Sequence, residues 1–557
     1  MSGLSGQPRH RSRRGRAEMV SEFVLQRRLG ALPVIAEFCR RLDIAGVVDR
    51  ACPVRSDAYL THGQVIEALV ANRLTSPAPL WKVEDWARDW AVEEVFGVDP
   101  GALNDDRIAR ALDAIAPELE QITGSIGAQA ISAFGLSVAQ MHWDMTSISL
   151  FGAFEQAEPE YPAPKYGHPK DRRTDLKQVQ AGIAVTRDEG IPLFHRAYDG
   201  GAGEVSQVVQ AMHGLQQIAG RREMLLIGDS KLISYGNVSA MREAGVTFIA
   251  PLAAAKVPAA LFAGLDPAGG RLVEFVAARD AGKPAERRAA YHVIEDVMVL
   301  TAPKKTNKTC GAPITVRRIL VHSTAHAQGQ AAARALKLAK ARDELDRLVR
   351  TAGSRYHPAA ADVSRRAEEI ARKRRVTGYL TTTVTTCPAT GKPVFTWAFD
   401  QRTIDTDASA DGWYALLTTL PPEQADAAEV LIRYKGQPVV ERRYGDIKGP
   451  LAIAPMFLKH NRRITALISV ICLALLVFCL IERQVRNALL PGTRLLFHPG
   501  NSPDRPTARL IFTALERIRL IPATATSPPQ ILIPDLLQHR LLALLDVDPT
   551  RPRWLTL

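Results

Sequence analysis

The sequence predicts an α/β fold: a mixed sheet flanked by helices and interrupted by an inserted segment. Apolar runs of strand length recur between residues 140 and 255, with helix-length segments between the later ones. An acidic residue lies within the first run and another directly follows the fourth. The chain of 557 residues carries a formal net charge of +13. That balance favours a polyanionic partner.

The chain begins with a basic segment, residues 1–19, which we interpret as a disordered tail, with Met19 as an alternative start. Residues 20–130 are predicted to form a helical, DNA-binding domain. Thr61 is placed to cap one of its helices, and Asn104 begins another. Six cysteines without a Cys-x-x-Cys pair argue against a zinc site and fit a reducing cytoplasm.

Residues 138–252 are predicted to form the first part of a catalytic α/β domain. The expected order is three strands, a helix, a strand, a helix and a strand. Those elements are predicted at 140–150, 179–186, 193–197, 205–218, 224–227, 237–243 and 246–251. Asp144 then lies within the first strand, and Asp229 follows the fourth.

The alternation of strands and helices predicted for residues 138–252 does not continue after residue 252. Residues 253–420 are predicted to be an insertion domain, helical and then β, with strands at 377–386 and 393–399. Residues 421–486 are predicted to complete the catalytic domain, with Glu441 on a helix whose first turn contains Pro438. Residues 487–557 are expected to form a C-terminal helical element.

The uncharged apolar segment Ile464–Ile481 is about the minimum length for a membrane span. It is isolated and comes soon after the Glu441 helix, so we interpret it as a buried core helix. A membrane protein built around it remains an alternative, and we expect no membrane association.

Asp144, Asp229 and Glu441 are the candidate catalytic residues and metal ligands. Three converging carboxylates are what a two-metal phosphoryl-transfer site needs, because Mg²⁺ prefers carboxylate oxygens and leaves room for phosphate. We expect two Mg²⁺ ions, with Mn²⁺ as a substitute. His142 is assigned to the opposite face of the strand from Asp144 and is left out of the site.

The segment around Glu441 resembles a signature of insertion-sequence transposases of the Asp-Asp-Glu class. One branch has Tyr-x2-Arg-x3-Glu-x6-Lys, and Tyr434, Gln437, Glu441 and Lys448 keep this spacing. Gln437 departs from the Arg of the family, which affects one phosphate contact. Three other stretches match as well: 175–179, 190–193 and 411–413.

The resemblance implies a ribonuclease H-like catalytic domain that binds terminal inverted repeats and catalyses metal-dependent strand cleavage and strand transfer. Double-stranded DNA would be the partner, a homodimer would form the synaptic complex, and a bacterial cytoplasm with its nucleoid would be the location. The predicted DNA-binding residues are Tyr434, Gln437, Lys448, Arg442 and Arg443. Trp397 and Trp413 are candidates to stack on a flipped base, although burial is an alternative for both.

Two further functions are compatible with the sequence. One is a non-catalytic DNA-binding derivative that has lost mobility, against which the presence of all three carboxylates weighs. The other is a ribonuclease H-like, structure-specific nuclease.

Overall fold

The computed structural model describes residues 26–548, except for 156–157, 168, 170–171, 221–222, 259–260, 263, 306–307, 310, 455, 498–502, 504 and 525–526. The predicted basic tail, residues 1–19, lies outside the described residues. A short strand and seven helices come first: β1 Arg27–Arg28, α1 Leu32–Arg41, α2 Ile44–Ala51, α3 His62–Thr75, α4 Val83–Asp89, α5 Val92–Phe96, α6 Asp105–Ile115 and α7 Leu119–Phe134.

Two of these helices begin where their capping residues predict. Thr61 accepts the Gln64 N–H at 3.1 Å, and the Gln64 side chain accepts the Thr61 N–H at 3.0 Å. Asn104 likewise accepts the Arg107 N–H at 2.9 Å. Each such cap stabilises its helix by about 1 kcal/mol.

The central segment then alternates strands and helices in the predicted order. Its elements are β2 Gln140–Leu150, β3 Lys177–Thr186, β4 Pro192–Tyr198, α8 Glu204–Ala219, β5 Met224–Ile227, α9 Tyr235–Glu243 and β6 Val246–Pro251. Three strand boundaries, those of β2, β5 and β6, match the prediction at both ends, because alternating or continuous apolar residues mark these strands in the sequence.

The following segment contributes strands, then a helical hairpin, a β-hairpin and a final strand. Its elements are β7 Arg271–Val273, β8 Tyr291–Leu300, β9 Lys304–Lys305, β10 Lys308–Thr309, β11 Ile314–Ser323, α10 Thr324–Thr351, α11 Ala360–Arg374, β12 Leu380–Thr386, β13 Pro393–Phe399, α12 Gln401–Ser409 and β14 Trp413–Thr418.

The C-terminal part is mainly helical. Its elements are α13 Ala427–Tyr434, α14 Pro438–Lys448, α15 Asn461–Ala488, α16 Ala508–Leu515, β15 Arg519–Ile521, β16 Gln530–Leu532 and α17 Leu536–Leu544. Residues 487–557 therefore add two strands to the predicted helices. These strands form a small sheet with β1 at the other end of the described chain.

Nine strands form one mixed sheet in the order β4-β3-β2-β5-β6-β14-β11-β8-β7. Strand β5 runs parallel to both β2 and β6, whereas the other pairs are antiparallel. The last four strands come from residues 253–420, so much of the predicted insertion extends the main sheet. Helices α10 and α11 and the β12–β13 hairpin instead share a separate apolar cluster around Leu345, Ile370 and Phe395.

Helix α15 is the long apolar helix of the sequence, and it lies in the core. Its composition and length would suffice to cross a membrane, but 94% of its apolar window is buried. It packs on α3, α6 and the edge strand β4, where Ser469 Oγ lies 2.7 Å from His195 Nε2. The helix is thus enclosed by protein, as the core-helix interpretation predicts.

Candidate functional site

Asp144 lies within β2, and Asp229 follows the end of the neighbouring parallel strand β5. In the β2–β5 register His142 pairs with Ile227, and each aspartate follows its paired residue by two positions. Neighbouring strands lie about 4.8 Å apart, so the backbones of the two aspartates are close. Both side chains are half-buried, and Asp229 Oδ1 accepts the Lys231 N–H at 2.9 Å.

Helix α14, which carries Glu441, is attached along β2. At its start, Gln437 Oε1 lies 3.1 Å from His142 Nδ1, and Gln437 Nε2 donates to the Trp143 carbonyl at 3.3 Å. At its end, Lys448 Nζ donates to Thr146 Oγ1 at 2.9 Å. These contacts flank Asp144, and Glu441 lies between them on the exposed side of the helix.

Two side chains connect the three carboxylates electrostatically. Burial lowers the pKa of Lys231, but its ion pair with Glu204 and the charges of Asp229 and Asp144 raise it overall. Burial raises the pKa of Tyr434, and the charges of Asp229 and Glu441 raise it further. The charges of both aspartates thus act on Lys231, and those of Asp229 and Glu441 act on Tyr434, while the convergence of the three carboxylates stays a prediction.

The carboxylates offer the hard oxygen donors that Mg²⁺ and Mn²⁺ accept. Within the described part of the chain, however, no three His, Cys, Asp or Glu side chains form a group that could hold a metal ion as they stand. Mutual repulsion keeps like charges apart without a cation between them, and the Glu441 side chain is exposed. The two-metal site therefore stays a prediction whose donor chemistry fits.

His142 belongs to the surroundings of Asp144, contrary to the sequence-based assignment. Residues two apart on a strand share a face, so His142 and Asp144 point the same way. Burial is the main cause that lowers the pKa of His142 to about 4, so the ring is neutral where it meets Gln437. The two-residue repeat of a strand is the sequence signal that places His142 on the same face as Asp144.

The predicted DNA-binding residues differ in their exposure. Arg442 and Lys448 are exposed, whereas Tyr434 and Gln437 are half-buried and Gln437 bonds to β2. The DNA-binding assignment is wrong for Arg443, because its side chain is only 1% exposed and is ion-paired with Asp446 and Glu482. It holds the fold together and cannot meet DNA at the surface.

The two tryptophan candidates for base stacking differ in how deeply they are buried. Trp413 is 5% exposed and lies 6.3 Å from the Phe262 ring and 5.2 Å from the His322 ring. It is a core residue, so the stacking assignment is wrong for Trp413. Trp397 is half-buried on β13 beside Phe399, and its assignment stays a prediction.

Residues that the sequence analysis missed are Lys231, Glu204 and Tyr444. Lys231 follows Asp229 by two positions, which a search limited to carboxylates passes over. Tyr444 lies on the buried side of α14, and its hydroxyl reaches the Asp144 carbonyl at 2.6 Å. No short sequence pattern predicts the Lys231–Glu204 ion pair or the Tyr444–Asp144 hydrogen bond, because both join segments that are distant along the chain.

Comparison with known proteins gives one family match and several structural ones. A domain of unknown function, DUF4277, matches residues 24–124. No curated protein matches the sequence. Among solved structures, a piggyBac transposase synaptic complex with hairpin DNA aligns with a TM-score of 0.36 and 9% identity, covering 94% of this chain and 83% of that one.

Two Mos1 transposase structures align over shorter stretches. The paired-end complex with the left transposon end gives a TM-score of 0.15 and 11% identity, covering 35% of this chain and 60% of that one. The Mos1 mariner paired-end complex with Mn gives 0.14 and 11%, covering 38% and 65%. These TM-scores are below the level of a shared fold, so a function has to rest on the residues of the site.

Proposed function

We propose that the chain is a DNA transposase of the Asp-Asp-Glu class with a ribonuclease H-like catalytic domain. One observation carries the proposal: Asp144 lies within β2, Asp229 follows the paired parallel strand β5, and the Glu441 helix is attached along β2. The spaced Tyr434, Glu441 and Lys448 signature supports it independently of the geometry.

In this proposal the three carboxylates hold two Mg²⁺ ions. When bound, the ions supply activation of the attacking hydroxyl and stabilisation of the leaving oxygen. The protein's own part is to bind and orient the DNA. Lys448 and the exposed Arg442 offer cations to its phosphates beside Glu441, and Lys231 offers a third beside the aspartates.

Double-stranded DNA is the proposed partner, namely the inverted repeats of the element and the target DNA. A homodimer would bring two ends together, and the bacterial nucleoid would be the site of action. The net charge of +13 fits such a polyanionic partner.

The test is cleavage of a plasmid that carries the coding sequence with its native flanking DNA. Purified protein with Mg²⁺ is expected to cut at the ends of the element. Asp144→Asn, Asp229→Asn and Glu441→Gln are each expected to lower the cleavage rate about a thousandfold or more, because each removes a metal ligand. Binding of the ends should stay nearly unchanged.

Glu423→Gln is the matched control, because Glu423 is an exposed carboxylate in the loop before α13. It removes one negative charge and should leave cleavage unchanged. A site variant that still cuts at the wild-type rate would remove that residue from the proposed site.

A second candidate is a non-catalytic DNA-binding derivative. The observation that favours it is that no ready-made metal-binding group occurs within the described residues. Wild-type protein that binds the ends but does not cut them with Mg²⁺ or Mn²⁺ would support this candidate over the transposase.

A further inference from the structure

Tyr444 connects the Glu441 helix to the backbone at Asp144. It follows Glu441 by three residues on α14 but lies on the buried side, with 6% exposure. Its hydroxyl donates to the Asp144 carbonyl oxygen at 2.6 Å and accepts the Ile183 N–H at 3.1 Å. The Ala181 carbonyl oxygen is also close, at 3.0 Å.

This hydroxyl lies between two strands of the sheet. Asp144 of β2 and Ile183 of β3 are directly opposite each other in the antiparallel register. The Tyr444 hydroxyl touches the Asp144 carbonyl oxygen and the Ile183 N–H, so it adds a contact from α14 to this pair of residues in the β2–β3 ladder.

We propose that Tyr444 is a positioning residue whose hydroxyl fixes the β2 backbone at Asp144 relative to the helix that carries Glu441. The proposal rests on the proposed function and names the device that sets the separation of two of its carboxylates. A metal site tolerates little error in the placement of its ligands, and a shift of about 1 Å can cost on the order of a hundredfold in rate.

A tyrosine hydroxyl is both a donor and an acceptor, so it can donate to the Asp144 carbonyl oxygen and accept the Ile183 N–H at once, which the bridging role requires.

The experiment compares Tyr444→Phe with Tyr198→Phe. Both tyrosines are buried, but the Tyr198 hydroxyl on β4 has no hydrogen-bond partner within the described structure, so its removal costs no bond. Three quantities are measured on the full-length protein: hydrogen–deuterium exchange of residues 140–150 and 177–186, Mn²⁺ binding by electron paramagnetic resonance, and plasmid cleavage.

Tyr444→Phe is expected to speed exchange in both segments, to weaken Mn²⁺ binding about tenfold and to lower kcat about a hundredfold. KM for DNA should stay within about threefold, because the DNA-facing side of α14 is unchanged. Tyr198→Phe should match the wild type in all three. Exchange or kcat of Tyr444→Phe equal to that of Tyr198→Phe would overturn the proposal.

Failure of the proposed function would look different. Wild-type protein that neither binds Mn²⁺ nor cuts DNA would reject the transposase, whereas the exchange comparison would still decide whether Tyr444 fixes the strand.

If Tyr444→Phe does not fold, 3-fluorotyrosine at this position keeps the ring and weakens the hydroxyl as an acceptor. Faster exchange of residues 177–186 is then expected, and unchanged exchange would count against the proposal.

Discussion

Replacing Arg443 by methionine should destabilise the fold without acting directly on DNA. The Arg443 guanidinium donates to the Gly190 carbonyl at 3.1 Å and to the Glu189 carbonyl. It also pairs with Asp446 at 2.9 Å and with Glu482 at 3.1 Å. Arg443→Met would remove all of these bonds at a site that water does not reach.

The magnitude follows from what the substitution leaves behind. Breaking a buried ion pair by removing one partner costs about 3–5 kcal/mol, because the other charge stays buried. Glu482 keeps Arg486 at 2.7 Å and the Ala508 N–H at 2.9 Å, so the lower end applies. A loss of about 3 kcal/mol lowers the ratio of folded to unfolded protein about 150-fold.

The assay is urea unfolding monitored by tryptophan fluorescence, with Arg442→Met as the control. Arg442 is the preceding residue and is exposed, so its replacement should change stability by less than about 0.5 kcal/mol. It should instead weaken DNA binding and reduce the salt dependence by about one phosphate contact. The reverse result, a stable Arg443→Met that binds DNA more weakly, would refute the reasoning.

Three further outcomes are expected. Burial is the main cause that raises the pKa of Glu67 to about 7, so the wild type should lose stability as pH rises from about 4.5 to 7. Glu67→Gln should lack this loss, and unfolding measured at pH 5 and pH 8 checks the difference. Trp413→Ala should cost about 3–5 kcal/mol in thermal unfolding, yet leave the DNA affinity of folded protein within about twofold. Protein expressed without detergent should stay in the supernatant after ultracentrifugation, because α15 is enclosed; a detergent-dependent pellet would contradict this.

The strand that carries Asp144 and the strand before Asp229 could be predicted from local sequence. Strand β2 largely alternates apolar and polar residues, whereas the four residues of β5 are all apolar. Strand β8 was not predicted because two charged residues, Glu295 and Asp296, interrupt its apolar sequence in the middle. Its place in the main sheet depends on pairing with β11, which is a long-range contact.

The roles of Arg442 and Arg443 show where pattern reasoning failed and could have succeeded. Both are arginines in one motif, and charge alone assigns both to DNA. Helical spacing separates them, because Val440, Arg443, Tyr444 and Ile447 form the buried side of α14. What spacing does not supply is the acceptor set on the β3–β4 turn and on α15 that makes a buried guanidinium acceptable.

The two sides of α14 therefore have separate tasks, and the buried side determines where the exposed one points. Tyr444 attaches it to β2, and Arg443 attaches it to α15 through Glu482. Glu482 in turn accepts the Ala508 N–H at the start of α16, so the C-terminal segment takes part in holding Glu441. A buried ion pair between two helices costs desolvation energy that a pair of hydrophobic residues would not. Its presence here is explained if the direction of the Glu441 helix matters more than stability, which is what a site of three converging carboxylates requires.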